Sequence, residues 1–269
     1  MNLAGQGIVM KRFTQFAGFL VSGMWFGLTS AHGQLQETIG QFQSGETPVT
    51  VECFTPATNG KFPAVFLLHG SGGLEQATGD VFREIARGLA ARGYVVLIPH
   101  YFDRTRHIVG RPFSSDDLTS YLQTIHDGIE FAVKSESVDP ERIGFVGYSM
   151  GAYLAFYRSA RDPRIKAIVS CSGSLPVESK AKFPPVLVLQ GSKDKGSPAE
   201  RLKAFQEKMK TNETPCPSHI YRGVGHNFEV STWEDASHRT AVFFNAYLKK
   251  RPLAKPKAKM KRSIAKTAT

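Results

Sequence analysis

Short runs of uninterrupted apolar residues alternate along this chain with segments whose apolar residues recur at helical spacing. Pro63 to Leu68, Tyr94 to Pro99, Ile143 to Val146, Ile165 to Ser170 and Val186 to Gln190 are the strand-like runs. Between them, Val81 to Arg92, Leu118 to Lys134 and Pro198 to Lys210 read as helices. The second of these places Leu118, Tyr121, Leu122, Ile125 and Ile129 on one face. A strand without polar alternation must be covered on both sides, and helices between successive strands supply the cover. The pattern predicts an α/β fold, a mostly parallel central sheet flanked by helices. Two β-like runs in 36–54 precede it, and the run from His219 to Val224 with the amphipathic stretch from Ala236 to Leu248 closes it. Sheets of this kind bind ligands at the carboxyl ends of their strands, so residues just beyond each run are the ones to search.

The formal charge of +11 suggests an anionic partner until its distribution is read. Residues 34–248 carry 23 Lys+Arg against 23 Asp+Glu, and the excess comes from Lys11, Arg12 and nine cations in 249–269. The body is therefore neutral. Lys11 and Arg12 precede a mostly apolar stretch of 16 residues, Phe13 to Leu28, followed by Ala31-His32-Gly33. That is the pattern of an export signal cut near Gly33-Gln34, and it predicts a periplasmic or secreted protein with a cytoplasmic location as the alternative. The expected organisation is a signal at 1–33, one domain at 34–248 and a basic, disordered tail at 249–269 that solubilises the chain or contacts anionic surfaces. No specific nucleic-acid partner is expected. Cys53, Cys171 and Cys216 have no metal-ligand spacing, and an exported chain would permit one disulfide among them.

Directly after the run Ile143 to Val146 stands Gly147-Tyr148-Ser149-Met150-Gly151. A G-x-S-x-G turn between strand and helix lifts the serine hydroxyl above the sheet and leaves the next amide free for an anion. A serine becomes an effective nucleophile only beside a base that titrates near neutrality, and the base needs an acceptor for its far nitrogen. Asp194, in Gly191-Ser192-Lys193-Asp194, follows the run ending at Gln190. His226, in Gly225-His226-Asn227-Phe228, follows the last run. Serine, acid and histidine thus occur in the chain order expected of such a site. The oxyanion donors should be the amides of Met150 and of Ser71, with Gly72 the alternative to Ser71, both in His69-Gly70-Ser71-Gly72-Gly73, where His69 reads as a structural brace.

These three motifs, with Asp139-Pro140-Glu141-Arg142-Ile143-Gly144, resemble those of the dienelactone hydrolase family of α/β-hydrolases over about residues 45–248. The resemblance implies the α/β-hydrolase fold and hydrolysis of a small carboxylic ester or lactone through an acyl-enzyme, with no cofactor and no metal. Enzymes of the family that open dienelactones use a cysteine nucleophile and a glutamate after the first loop histidine. This chain has Ser149 and Gly70 at those places, which favours a serine esterase.

The loop from Tyr101 to Pro112 contains Arg104, where the resemblance implies a guanidinium holding a substrate carboxylate. Tyr148, Phe228 and Trp233 are the other candidates for lining the site. Only residues 171–185 separate the runs ending near Ser170 and starting at Val186, so no lid domain is expected and the site should be open. Two other readings compete: a peptidase or amidase on the same residues, and a non-catalytic binding protein attached to polyanions by its tail. Oligomeric state is not legible.

Overall fold

A computed structural model describes residues 26–27, 35–75, 77–196 and 198–249. Nearly all of the expected export signal and basic tail lies outside these residues. Among these residues, nine strands form one sheet: β1 (Phe26–Gly27), β2 (Leu35–Ser44), β3 (Thr47–Pro56), β4 (Phe62–Leu68), β5 (Val95–Pro99), β6 (Val138–Tyr148), β7 (Ile165–Cys171), β8 (Val186–Gly191) and β9 (Ser218–Tyr221). Their spatial order is β1-β2-β3-β5-β4-β6-β7-β8-β9. The first three pair antiparallel, with β3 joined antiparallel to β5, and every pairing from β5 to β9 is parallel. The two residues of β1 fall inside the stretch read as a signal and pair with Thr38 and Ile39.

Helices α1 (Ala77–Ala90), α2 (Ser115–Ala132), α3 (Met150–Ser159), α4 (Ala199–Thr211) and α5 (Val230–Phe244) cover the sheet on both faces. One core holds Tyr121, Ile125 and Ile129 of α2, Leu154 and Phe156 of α3, and Phe205 and Met209 of α4. The other holds Phe82, Ile85 and Leu89 of α1 with Trp233, Ala236 and Phe244 of α5. Strand β6 supplies both, since neighbouring residues point to opposite faces: Phe145 packs in the first core and Val146 in the second. Helix α2 begins where a capping box closes it. Ser114 Oγ accepts from Asp117 N–H at 3.1 Å, and the Asp117 carboxylate accepts from Ser114 N–H at 2.8 Å.

Two boundaries at the chain's end differ from expectation. The last strand stops at Tyr221 instead of Val224, because Gly223 takes φ 80° and turns the chain. The closing helix starts at Val230, six residues before Ala236. Its first turns are rich in β-branched residues, yet Thr232 and Trp233 are buried there, and packing outweighs the weak helical preference of the segment. A π-helical turn, Asn245–Lys249, extends it and buries Leu248 against Gly144. Lys249, read as the first residue of the tail, belongs to this turn and donates to the Arg92 carbonyl. Cys53, Cys171 and Cys216 are unpaired. Residues 172–185 contain no helix or strand, as expected of a sheet without a lid inserted there.

Candidate active site

Ser149 joins β6 to α3 with φ 54° and ψ −116°, a backbone conformation that costs an L-residue free energy and survives only where its surroundings enforce it. Two glycines make the enforcement sterically possible. A Cβ on Gly147 would lie 2.5 Å from the backbone of Ala152, and one on Gly151 would lie 2.0 Å from the Leu68 carbonyl oxygen. Ser149 N–H donates to the Cys171 carbonyl at 2.9 Å, pinning the turn to β7. The hydroxyl is thereby raised at the carboxyl edge of the sheet, as the motif predicts.

Asp194 and His226 reach it through loops stitched to one another. Ser192 N–H donates to the Tyr221 carbonyl at 3.0 Å, Lys193 N–H to the Val224 carbonyl at 2.8 Å, and Gly223 N–H to Ser192 Oγ at 2.9 Å. Gly191 lets the loops touch: a Cβ there would stand 2.3 Å from the Gly225 carbonyl oxygen. His226 Nδ1 lies 3.0 Å from Asp194 Oδ2, and its Nε2 lies 2.9 Å from Ser149 Oγ. Three residues distant in the chain thus form one continuous hydrogen-bonded line. The Asp194 side chain is almost wholly buried, whereas the imidazole is 45 % exposed, so the nucleophile end of this line faces solvent.

The structure adds a residue that motif reasoning missed. Gln190, buried at the end of β8, donates from Nε2 to the same Asp194 Oδ2 at 2.6 Å, while Gly196 N–H donates to Oδ1 at 2.9 Å. The carboxylate is held from both sides and presents one oxygen to the imidazole. A glutamine ending an apolar strand was the available signal, since a buried amide requires partners.

On the opposite side of Ser149 the loop after β4 is close enough that a Cβ on Gly70 would come 3.3 Å from Ser149 Cβ. A side chain at 70 would press on Tyr148 and the serine, which would have to give way slightly. Ser71 follows at once, and Met150 is the first residue of α3, where leading amides lack partners within the helix. Ser71 and Met150, the expected oxyanion donors, are thus the chain neighbours of two residues that meet here, Gly70 and Ser149. His69 is a brace. It is buried, stacks on Tyr101 with centroids 4.0 Å apart and lies with Nδ1 2.8 Å from the Gly70 carbonyl, and Tyr101 Oη donates to the His69 carbonyl. Burial pushes its pKa down to about 3, so the ring is neutral.

The other candidates divide. Tyr148 belongs to the site: its hydroxyl donates to Asn227 Oδ1 at 2.7 Å and its ring lies 5.7 Å from that of His226, holding the histidine loop. Trp233 packs behind it at 5.4 Å, and Phe228 lies between Trp233 and Tyr221. Both are buried, and they support the wall from behind instead of forming its surface. The expectation for Arg104 is corrected. Its guanidinium donates to Ser44 Oγ at 2.8 Å and lies 3.9 Å from Asp127, so it ties the β2–β3 hairpin to α2. A short polar hairpin end beside an acidic helix face captured it. Nearby Arg111 is likewise taken by Asp117, at 3.0 Å. Among the described residues, no group of His, Cys, Asp or Glu is arranged to hold a metal ion.

A mostly parallel sheet with helices on both faces, carrying a serine at a strained strand-to-helix turn, defines an α/β-hydrolase. Within that class, the family model described as the dienelactone hydrolase family matches residues 49–250, and the chain belongs to that family. It is similar to a protein assigned as a carboxymethylenebutenolidase in Methylorubrum extorquens, with 25% identity over 196 residues, 65% of this chain and 66% of that protein. It is also similar to the esterase EstD of Thermotoga maritima, with 29% identity over 207 residues, 72% of this chain. The chain spans about half, 48%, of that esterase. Among solved structures, a dienelactone hydrolase-like promiscuous phosphotriesterase, P91, from metagenomic libraries aligns with a TM-score of 0.66 over 80% of this chain and 100% of its own. At 16% identity, that likeness speaks to the fold alone.

Proposed function

We propose that this protein is a serine hydrolase that cleaves carboxylic esters or lactones of small substrates through an acyl-enzyme. The observation that carries the reading is the unbroken line from Asp194 through His226 to Ser149, with spacings of 3.0 and 2.9 Å. Ser149 Oγ attacks the substrate carbonyl carbon as His226 Nε2 takes the hydroxyl proton. Asp194, fixed by Gln190 and Gly196, accepts from Nδ1–H and stabilises the imidazolium. The carbonyl oxygen becomes an oxyanion between the amides of Met150 and Ser71; one such donor is commonly worth about 3 kcal/mol in the transition state. Collapse of the tetrahedral species breaks the bond to the alcohol oxygen, which leaves with the proton from His226. Water then attacks the acyl-enzyme with His226 as base, releasing the acid and restoring the serine.

The exposed imidazole and the lidless connection at 172–185 suit a substrate approaching from open solvent. The esterase and carboxymethylenebutenolidase relatives are consistent with an ester or lactone. Labelling with a fluorophosphonate followed by peptide mapping tests the nucleophile, and modification is expected at Ser149 alone. Ser149→Ala should lower kcat on the best ester by several orders of magnitude, because groups acting as a unit fail together. Residual activity above about a tenth of wild type would overturn the assignment. A panel of esters beside aminoacyl anilides reads ester against amide preference.

A further inference from the structure

Helix α3, which begins at the nucleophile, carries aromatic rings on an outward face. Tyr153 and Tyr157 stand four residues apart, spacing that makes side chains neighbours on a helix, and their rings lie 5.7 Å apart at 31°. Just past the helix, the Arg161 guanidinium sits 4.0 Å over the Tyr157 ring and donates to the Tyr157 carbonyl at 3.1 Å. Tyr153 is 39% exposed and Tyr157 40% exposed. These rings form one wall of a hollow of about 480 Å³. Phe156 and Phe183 lie at its base, and the opposite wall is the segment following β7, closed by the Arg201–Glu178 ion pair.

None of the proposed catalytic residues lines the hollow, but two of its walls start beside the nucleophile. Tyr153 N–H donates to the Ser149 carbonyl at 3.4 Å, so the first ring stands one helical turn from the nucleophile. The opposite wall leaves the sheet just after Cys171, the register partner of Tyr148. At a rise of about 1.5 Å per residue, Tyr153 and Tyr157 lie about 6 and 12 Å along the helix axis from Ser149. Two tyrosine faces backed by buried phenylalanines suit a flat apolar group, because aromatic pairs gain beyond simple burial when offset or edge-on. The volume falls within the range of small-ligand sites, about 300–1,000 Å³. The phenols add polar edges, and Arg161, stacked on Tyr157, adds a positive one at the far end.

We propose that this hollow is the substrate's aromatic subsite: it binds an aryl group carried on a short chain, one to two helical turns from the scissile carbonyl. The proposal rests on the ester-hydrolase reading and deepens it, naming aryl-alkyl esters as the favoured substrate class. The ring can arrive on either side of the ester bond, and two substrate series separate those sources: methyl esters of phenylpropanoic and phenylpentanoic acids, and the acetates of the corresponding phenylalkanols.

The test is steady-state kinetics of the full chain on both series beside straight-chain esters of matched length. At least one phenyl series should show a KM below that of its straight-chain counterpart. Tyr153→Ala and Tyr157→Ala should each raise that KM by about tenfold while leaving kcat, and KM for methyl butanoate, unchanged. Tyr153→Phe and Tyr157→Phe should retain the preference. Equal ring discrimination in wild type and both alanine variants, or no discrimination in any of them, would overturn the subsite. Loss of the hydrolase reading has a different signature, since it would appear as undiminished turnover by Ser149→Ala. Calorimetric titration of the Ser149→Ala protein with phenylpentanoate reads the hollow without catalysis. Weakening by Tyr157→Ala in that background supports the subsite, and unchanged affinity counts against it.

Discussion

The two loop systems on either side of Ser149 are built differently. Residues 191–196 and 221–226 are joined by backbone hydrogen bonds, and Gly191 lacks the side chain that would keep them apart. Residues 100–113 are rich in charge, and much of that charge is held by the fold. Arg104 goes to Ser44 and Asp127, Arg111 to Asp117, Asp103 to the Thr50 amide, and His100 to Glu52. The first system positions groups by close backbone approach at Gly191, which tolerates no added atom there. The second positions them by ion pairs, many of them partly solvated, and each of those contributes little alone. Motif position therefore speaks reliably for the glycine-built side and poorly for the charged one.

The sharpest way to break this comparison is to add one carbon on the glycine side. Gly151→Ala should yield no soluble folded protein, because its Cβ would meet the Leu68 carbonyl oxygen at 2.0 Å and that strand cannot move away. Soluble expression and circular dichroism check it. Gly191→Ala should fold but push the histidine loop outward, lowering kcat/KM by about a hundredfold, an effect of about 3 kcal/mol. Loss of activity without loss of fold is the expected pairing.

Gln190→Met keeps volume and removes a donor to the Asp194 carboxylate. A hydrogen bond to a charged group is worth about 1.5–3 kcal/mol, so kcat/KM should fall about 10- to 100-fold. Fluorophosphonate labelling should slow in parallel.

On the charged side the effects are smaller and concern stability. Burial by itself would raise the Glu52 pKa, but hydrogen bonds from His100 and Arg83 outweigh it and hold the carboxyl at about 2, against an ordinary value of 4.5. A carboxyl depressed by folding stabilises the native state above its unfolded pKa and loses that contribution as pH falls from about 4.5 toward about 2. Glu52→Gln should lower stability at pH 7 by about 2 kcal/mol and flatten the acid limb of the stability curve, read by urea titration at several pH values. Arg104→Ala should have the smallest effect on catalysis, less than about threefold in kcat/KM, because its partners are Ser44 and Asp127. A large rise in KM confined to carboxylate-bearing esters would return Arg104 to substrate binding.

Much of the fold is legible in the sequence. The strands ending at Leu68, Pro99, Tyr148, Cys171 and Gly191 were visible as apolar runs, because buried parallel strands cannot alternate. The end of the chain was less so. Helix α5 begins in a segment with weak helical preference and is held by Thr232 and Trp233 in the core, a long-range contact that no local window contains. Likewise, nothing near Arg104 in the sequence announces Ser44, 60 positions away. Gln190 announced its need for a partner but not which one.

Local sequence alone thus determined which residues stand at strand ends and which chain positions must lack a side chain, since steric exclusion and hydrophobic periodicity act over a few neighbours. The tertiary structure decided which carboxylate meets which cation, which aromatic rings lie buried behind the wall and which stand open along α3. Those outcomes depend on the surfaces that folding brings together, and electrostatic and packing partners are chosen by distance in space.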